Sequence, residues 1–445
     1  MTLPATPHVK QPAGPQLVEI EKPVYGGAFL ARLEGKAIFV PLTLPGEQAR
    51  VRITQSKSGY AVAEVGEIVR AAPERITPAC PHFGACGGCH YQHTGYANQL
   101  ALKQAILRET LERGGVRAPD VIAVLAAEPW HYRNRIRLAF DAAGNMGYRG
   151  RRSHRVIPLR ECPIAAPLLF EAAQAFALIA RNFAPALRPT EIALFCDANE
   201  TALLATVYIA GPAKLRFDEL AEGLHEQLPA LAGAELAISG HAGALPTTVA
   251  QWGANSLDYH AAGFDYHVDN GAFFQVNRRL VDSLVKRVVA GHQGTFAWDL
   301  FAGVGLFSRQ LADIFNSVVA VESAPMATQS LVVNLKDTAG ITVQSDTLEF
   351  LRARAHNRPA GASARAETPD LIVVDPPRAG LGAETCALLA KIAAPDLVYV
   401  SCDPATLARD LRALIASGYA IHSFTLADLF PQTYHLETVV QLRRA

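Results

Sequence analysis

From Gln16 to Ala71 the chain alternates apolar and polar residues in short runs. Leu17-Val18-Glu19-Ile20, Ala37-Ile38-Phe39-Val40, Ala49-Arg50-Val51-Arg52-Ile53 and Tyr60-Ala61-Val62-Ala63-Glu64-Val65 are separated by Gly26-Gly27, Gly46 and Gly59. A period of two puts one face of each run toward a core, and glycine turns at this spacing predict a small β-barrel over residues 16–71. The period then changes. Leu100, Ile106, Leu107 and Leu111 recur at helical spacing, which predicts a helix from Tyr96 to Arg113 that ends at Gly114-Gly115. Residues 72–265 mix both periods without a repeat and are expected to form a central α+β domain. Beyond Phe296 the pattern is strand then helix, repeatedly. The expected strands are Phe296 to Leu300, Ser317 to Val321, Ile341 to Gln344, Leu371 to Val374 and Leu397 to Val400, with a helix from Leu306 to Phe315. Such alternation predicts an α/β class, with a parallel, Rossmann-like sheet over 266–445. Two stretches read as irregular: residues 1–15, with Pro4, Pro7, Pro12 and Pro15, as a disordered tail, and Arg352 to Thr368 as a loose loop.

Composition narrows the partners. Of 445 residues, 50% are hydrophobic, enough for two or three cores, and the formal net charge is zero. No global field attracts nucleic acid, so any such surface must be a local patch. The N-terminal segment Met1 to Pro15 has no basic region followed by an apolar run, and no stretch of about 18 apolar residues is free of charge. A cytosolic protein is expected. Seven cysteines, three of them between Cys80 and Cys89, then suggest metal binding or catalysis and not a disulfide framework.

Those three, Cys80, Cys86 and Cys89, have the spacing C-x5-C-x2-C around Gly87-Gly88, and Cys162 is followed by Pro163. Four thiolates suit an iron–sulfur cluster or structural zinc, and the residue types alone do not choose between them. A second constellation lies at the strand ends of the C-terminal region. Gly303-Val304-Gly305 follows one expected strand and opens a helix, a junction where a ligand can lie against backbone. Glu322, Asp346 and Asp375 follow the next strands. Acids in those positions suit the hydroxyls and ammonium of an adenosyl amino acid, and no Lys or Arg stands beside the glycines to take phosphate. S-adenosylmethionine is therefore preferred to NAD or ATP. Finally, Val398-Tyr399-Val400-Ser401-Cys402-Asp403-Pro404 places a thiol at the carboxyl edge of the sheet, where open α/β folds bind ligands. A cysteine there can be a nucleophile if its surroundings favour the thiolate.

In order along the chain, Gly271-Ala272-Phe273-Phe274-Gln275-Val276-Asn277, Asp299-Leu300-Phe301-x-Gly303-x-Gly305, Asp375-Pro376-Pro377-Arg378, Ser401-Cys402-x-Pro404-x-Thr406-Leu407 and His435-x-Glu437 resemble the motifs of the RNA uracil-5-methyltransferases. The resemblance covers nearly the whole chain. It implies Cys402 as nucleophile and Glu437 as general base, with Gln275, Phe301, Gly303, Gly305, Glu322, Asp346 and Asp375 around S-adenosylmethionine. It also implies a [4Fe-4S] cluster on Cys80, Cys86, Cys89 and Cys162 and a TRAM domain in the N-terminal barrel. Both are features of the branch that modifies 23S ribosomal RNA. The expected partner is RNA, not DNA or a membrane, and the chain is expected to act as a monomer. Asp403 departs from the family, which often has Asn there; a carboxylate beside a thiol disfavours the thiolate unless it is turned away or paired.

The implied chemistry is addition of Cys402 to C6 of uracil, methylation of the resulting C5 enolate, and removal of the C5 proton by Glu437. Reaching the base requires flipping it from any stack. Arg133, Arg135 and Arg137, followed by Arg149, Arg151, Arg152, Arg155 and Arg160, form the most basic stretch, interleaved with Trp130, Tyr132 and Tyr148. It is the expected RNA grip. The rival readings are a transfer-RNA or 16S target, a cytosine-5-methyltransferase, and a non-catalytic iron–sulfur RNA-binding protein.

Overall fold

The computed structural model describes residues 14–180, 189–212, 216–240, 246–356 and 368–444. Most of the expected N-terminal tail and much of the expected loop before Thr368 lie outside the described residues. The described chain gathers into two compact units, Met1–Glu109 with Pro431–His435, and Thr110–Phe430 with Leu436–Ala445.

The first unit contains a closed barrel of five strands: β1 (Gln16–Val24), β2 (Ala28–Leu33), β3 (Lys36–Pro41), β4 (Gln48–Ser56) and β5 (Tyr60–Arg70). Alternate residues Val18, Ile20, Phe29, Ala31, Ile38 and Val40 fill its interior. The outward residues pair in register: Arg50 with Glu67 at 2.9 Å and Arg52 with Glu64 at 2.8 Å, across β4 and β5. Helix α1 (Tyr96–Arg113) follows, as its spacing predicts. Its Gln99 exchanges two hydrogen bonds with Gln432: each side chain receives one, the first from the Gln99 amide (2.9 Å) and the second from the Gln432 backbone N–H (3.0 Å).

The second unit holds two large sheets. One has seven strands in the order β13-β12-β11-β10-β7-β8-β9, from β7 (Arg135–Phe140), β8 (Met146–Arg149) and β9 (Val156–Pro158) through β10 (Pro189–Cys196), β11 (Leu203–Ile209), β12 (Leu231–Ile238) and β13 (Thr247–Gly253). Helices α2 (Pro167–Ala180) and α3 (Phe217–Gln227) cover it, with Phe176, Leu169, Leu220 and Leu224 in the core between them. A hairpin of β14 (Ser256–Ala261) and β15 (Phe264–Asp269) leads to helix α4 (Val281–Val289) and the other sheet.

That sheet runs β18-β17-β16-β19-β20-β22-β21-β6. Its parallel part is β16 (Gly294–Leu300), β17 (Phe315–Glu322), β18 (Gly340–Gln344), β19 (Leu371–Val374) and β20 (Asp396–Ser401). Near-continuous apolar strands such as Leu371-Ile372-Val373-Val374, fully buried, are what a doubly covered parallel sheet requires. Helices α5 (Leu306–Leu311), α6 (Pro325–Asn334), α7 (Thr347–His356), α8 (Gly382–Ile392) and α9 (Pro404–Ala416) connect the strands.

Three expectations need correction. The sheet is mixed: β22 (Glu437–Arg444) inserts antiparallel between β20 and β21 (Tyr419–Ala427), and the short β6 (Ala123–Leu125) joins the far edge. Helix α5 stops at Leu311, because a tight turn (Asp313 N to Gln310 O, 3.3 Å) returns the chain so that Phe315 opens β17 inside the core. Arg352 to His356 belong to helix α7 and not to a loop; Leu351 and Ala355 bury its inner face.

Candidate active site

The carboxyl edge of the mixed sheet collects the chemistry. Ser401 ends β20, so Cys402 is the first residue past the strand. Antiparallel β22 brings its first residue, Glu437, to the same edge: Ser401 pairs with Thr438, whose hydroxyl donates to the Ser401 carbonyl at 3.2 Å. Glu437 is buried, 5% exposed. Asp375 follows β19 on the other side of β20, and its N–H reaches back to the Leu300 carbonyl at 3.4 Å.

Burial sets the electrostatics here. It pushes the Cys402 thiol up to about 12, helped by the carboxylates of Glu437 and Asp375 and opposed by the Arg378 guanidinium. Burial also holds Glu437 well above the usual carboxylate range, with Asp375 adding to the rise and Arg378 again opposing it. Asp375 itself is raised, by burial and then by Asp299. The edge thus holds the thiol and two carboxyls, each disfavouring the others' charge, and one cation that opposes them. Arg378, which opposes both shifts, is the residue of this edge to which sequence reasoning gave no role. Its signal was its place directly after Asp375-Pro376-Pro377.

Asp403 does not oppose the thiolate. It is the N-cap of α9, its carboxylate accepting from Ala405 N (2.9 Å) and Thr406 N (3.0 Å). Pro404, at the first helical position, needs no hydrogen-bond partner for its nitrogen. The cap therefore pairs this charge with the first amides of the helix.

The neighbouring strand ends form a cradle. Phe301, Gly303 and Gly305 all have positive φ, at 71°, 57° and 92°. A Cβ built on Gly303 would meet nothing within 4 Å, so open space lies beside it. Glu322 ends β17, and one carboxylate oxygen accepts the Gly303 N–H (2.8 Å) while the other accepts from Ser323 N (2.8 Å) and Ala324 N (2.7 Å). Asp346 follows β18, is exposed, and accepts from Leu348 N at 2.8 Å. An open glycine turn rimmed by acids fits an adenosyl amino acid. Gln275 is buried on a strap that the chain after β15 forms. Asn134, fully buried, holds that strap: its side-chain amide donates to the Gln275 carbonyl (2.9 Å) and its N–H to the Val276 carbonyl (3.0 Å).

The cysteine cluster stands apart from this edge in sequence. Cys80, Cys86 and Cys89 lie in the first compact unit, where Gly88 N donates to Cys86 Sγ at 3.3 Å and Cys80 N to the Gln92 side chain at 3.0 Å. An N–H aimed at sulfur suits a thiolate, so the donor chemistry fits. Among the described residues, however, no three His, Cys, Asp or Glu side chains are grouped to hold a metal ion. Cys162 is in the second unit, its carbonyl accepting from Ala165 N at 3.0 Å.

The basic stretch is partly spent on structure. Arg135 lies over the Phe195 ring (4.3 Å) and donates to the Ala272 carbonyl (2.7 Å). Arg137 and Arg149 share Glu191. Arg152 and Arg155 are exposed.

A family model described as tRNA (Uracil-5-)-methyltransferase matches residues 238–445, and a TRAM domain model matches residues 15–65. A protein of Azoarcus sp., named 23S rRNA (uracil(1939)-C(5))-methyltransferase RlmD, is 32% identical over 96% of this chain and 99% of its own. This chain belongs to the RNA uracil-5-methyltransferase family. A protein of Streptomyces avermitilis named "Uncharacterized RNA methyltransferase" is likewise 32% identical over 96% of this chain and 98% of its own. The solved tRNA (uracil-54, C5)-methyltransferase of Pyrococcus abyssi, in complex with S-adenosyl-L-homocysteine, shares the family fold: TM-score 0.74, 22% identity, covering 96% of this chain and 100% of that one. Among the described residues no helix is long and apolar enough to cross a membrane.

Proposed function

We propose that this family member methylates C5 of a uridine in RNA, using Cys402 as nucleophile and Glu437 as general base. The observation that carries this reading is the strand pairing. Antiparallel β22 brings the buried carboxylate of its first residue to the strand end that Cys402 follows.

S-adenosylmethionine, when bound, supplies an electrophilic methyl group on a sulfonium. Glu322 and the open turn at Gly303 are positioned to bind its ribose and backbone parts, with Phe301, Gly305, Gln275, Asp346 and Asp375 around them. Cys402 releases its proton to solvent and, as the thiolate, forms the S–C6 bond; the C5=C6 electrons move onto C5 and the C4 carbonyl as an enolate. C5 takes the methyl group as the S–CH3 bond breaks, its electron pair staying on sulfur, which leaves as a neutral thioether. Glu437 then accepts the C5 proton, the C5=C6 bond re-forms, and Cys402 leaves as thiolate. Arg378 stabilises both Cys402 and Glu437 in their charged states, offsetting part of the burial cost. RNA carrying 5-fluorouridine cannot lose its C5 substituent as a proton. With the methyl donor present it is expected to trap Cys402 in a stable adduct on a denaturing gel, and a lack of adduct sinks the reading.

Ribosomal RNA is the proposed target. Relatives over nearly the full chain are named as 23S rRNA enzymes, whereas the transfer-RNA alternative is supported by the names of the family model and the solved neighbour. Mapping 5-methyluridine in ribosomal and transfer RNA from cells with and without the gene separates the two. A four-cysteine iron–sulfur site on Cys80, Cys86, Cys89 and Cys162 is proposed on donor chemistry alone and has no step in the reaction. Protein purified without oxygen should contain iron and acid-labile sulfide in equal amounts; zinc in their place would refute the cluster.

A further inference from the structure

Asp410 is a buried carboxylate of this region to which the mechanism gives no role. Asp410, 1% exposed, sits on α9 two turns beyond Cys402. Its Oδ2 accepts the Leu381 N–H at 2.7 Å and the Tyr399 hydroxyl at 2.8 Å, and its Oδ1 accepts Arg409 Nε at 2.8 Å. Two further groups of α9 hold the same loop. Thr406 Oγ1 donates to the Arg378 carbonyl (3.1 Å), and Arg409 Nη2 to the Ala379 carbonyl (2.8 Å). Three consecutive peptide units of the loop, at Arg378, Ala379 and Leu381 across Gly380, are thus tied to one face of a single helix.

Gly380 closes the fit. It has φ +71°, and a Cβ there would lie 2.5 Å from Asp410 Oδ2 and 2.8 Å from Arg409 Nη2. A side chain there would push Asp410 and Arg409 aside and strain the backbone at positive φ. Tyr399 ties the same carboxylate to β20, the strand that delivers Cys402. The loop that carries Arg378, the helix that begins after the nucleophile, and the nucleophile's own strand therefore meet at Asp410.

We propose that Asp410 is a positioning residue for the methylation: with Arg409 and Thr406 it locks the Asp375–Leu381 loop to helix α9, fixing the Arg378 guanidinium beside Cys402 and Glu437. This rests on the reading of Cys402 as nucleophile. The titratable and charged groups that act on Cys402 are Glu437, Asp375 and Arg378, and of these only Arg378 favours the thiolate. An unlocked loop would let that cation drift into water while the acids stay.

The test is a double-mutant cycle of Asp410→Asn and Arg378→Gln. Asparagine keeps the size but turns an N–H toward donors that need an acceptor. Three quantities are followed: kcat for RNA methylation, S-adenosylmethionine affinity, and the pH profile of Cys402 alkylation by iodoacetamide, read on its own peptide by mass spectrometry. Each single variant is expected to displace the alkylation profile to higher pH and to lower kcat about 10- to 100-fold, with donor affinity unchanged. The double variant should be no worse than Arg378→Gln alone. Additive losses, or an unmoved alkylation profile in Asp410→Asn, would reduce Asp410 to a structural residue and overturn the proposal. If Asp410→Asn does not fold, Thr406→Val removes the bond to the Arg378 carbonyl and must move the profile the same way. Failure of the underlying reading looks different: the wild-type protein then forms no adduct with 5-fluorouridine RNA.

Discussion

At the scale of the residue, the active edge is governed by desolvation. Cys402, Glu437 and Asp375 are each pushed toward their neutral forms because burial removes the water that stabilises charge. Both proposed catalytic groups must lose a proton to work, so the methylation rate should rise with pH across the neutral range and not peak below it. Cys402→Ala is expected to abolish methylation while keeping S-adenosylmethionine affinity. Glu437→Gln is expected to stall after methyl transfer and accumulate protein–RNA adduct, visible on denaturing gels. Asp299 gives a prediction for stability. Burial raises it to about 7, against a hydrogen bond from Ser308 Oγ at 2.5 Å. Between about pH 4 and 7 the native state then holds a proton that the unfolded chain has lost, so this carboxyl costs stability as pH rises through that window. Asp299→Asn should flatten the slope. Urea unfolding of both proteins at pH 5 and pH 7.5 measures it, and equal pH dependence would refute the assignment.

At the scale of the element, the turn from β20 into α9 does two jobs. It ends the strand at the thiol and starts a helix whose first amides are capped by Asp403. Asp403→Ala should lose about 1 kcal/mol of stability from the uncapped terminus, measured by urea unfolding. It should not raise Cys402 reactivity, because the acids that act on the thiol are Glu437 and Asp375. The strands of the parallel sheet were legible because buried β-branched runs such as Leu371 to Val374 have no other stable home. The end of α5 was not. Leu306 to Phe315 is apolar enough for one helix, and only the demand for Phe315 in the core of the sheet cuts it short. Nor was the first turn of Arg352 to Thr368, whose arginines look solvated until Leu351 and Ala355 bury the face between them.

At the scale of the whole molecule, charge is spread thinly and much of it is internally paired. The barrel arginines Arg50 and Arg52 meet glutamates across the strands, and Arg137 and Arg149 converge on Glu191. Such exposed pairs add little stability but leave less charge for a polyanion. The RNA grip is therefore expected at the exposed Arg152 and Arg155 more than at Arg135, which serves the core. Reversing Arg152 and Arg155 to Glu should weaken RNA binding several-fold at low salt and flatten its salt dependence. Arg135→Gln should chiefly cost stability. Filter binding over a salt series, beside a denaturation curve, separates the two; unchanged affinity in the first variant would remove this patch from the interface.

The order of residue types determined the barrel, the helix over Tyr96 to Arg113, the parallel strands and the acids at their ends, because period and burial are local properties of a chain. The thiol at 402 was also visible, as a polar break after an apolar strand. What only the tertiary structure decided was the company these groups keep. A hydrophobic pattern cannot say whether a strand enters a sheet parallel or antiparallel, and the antiparallel entry of β22 is what carries Glu437 to Cys402. The tie of Arg135 to Ala272 and the lock at Asp410 depend likewise on hydrogen bonds between segments far apart in sequence, whose partners exist only once the chain has folded.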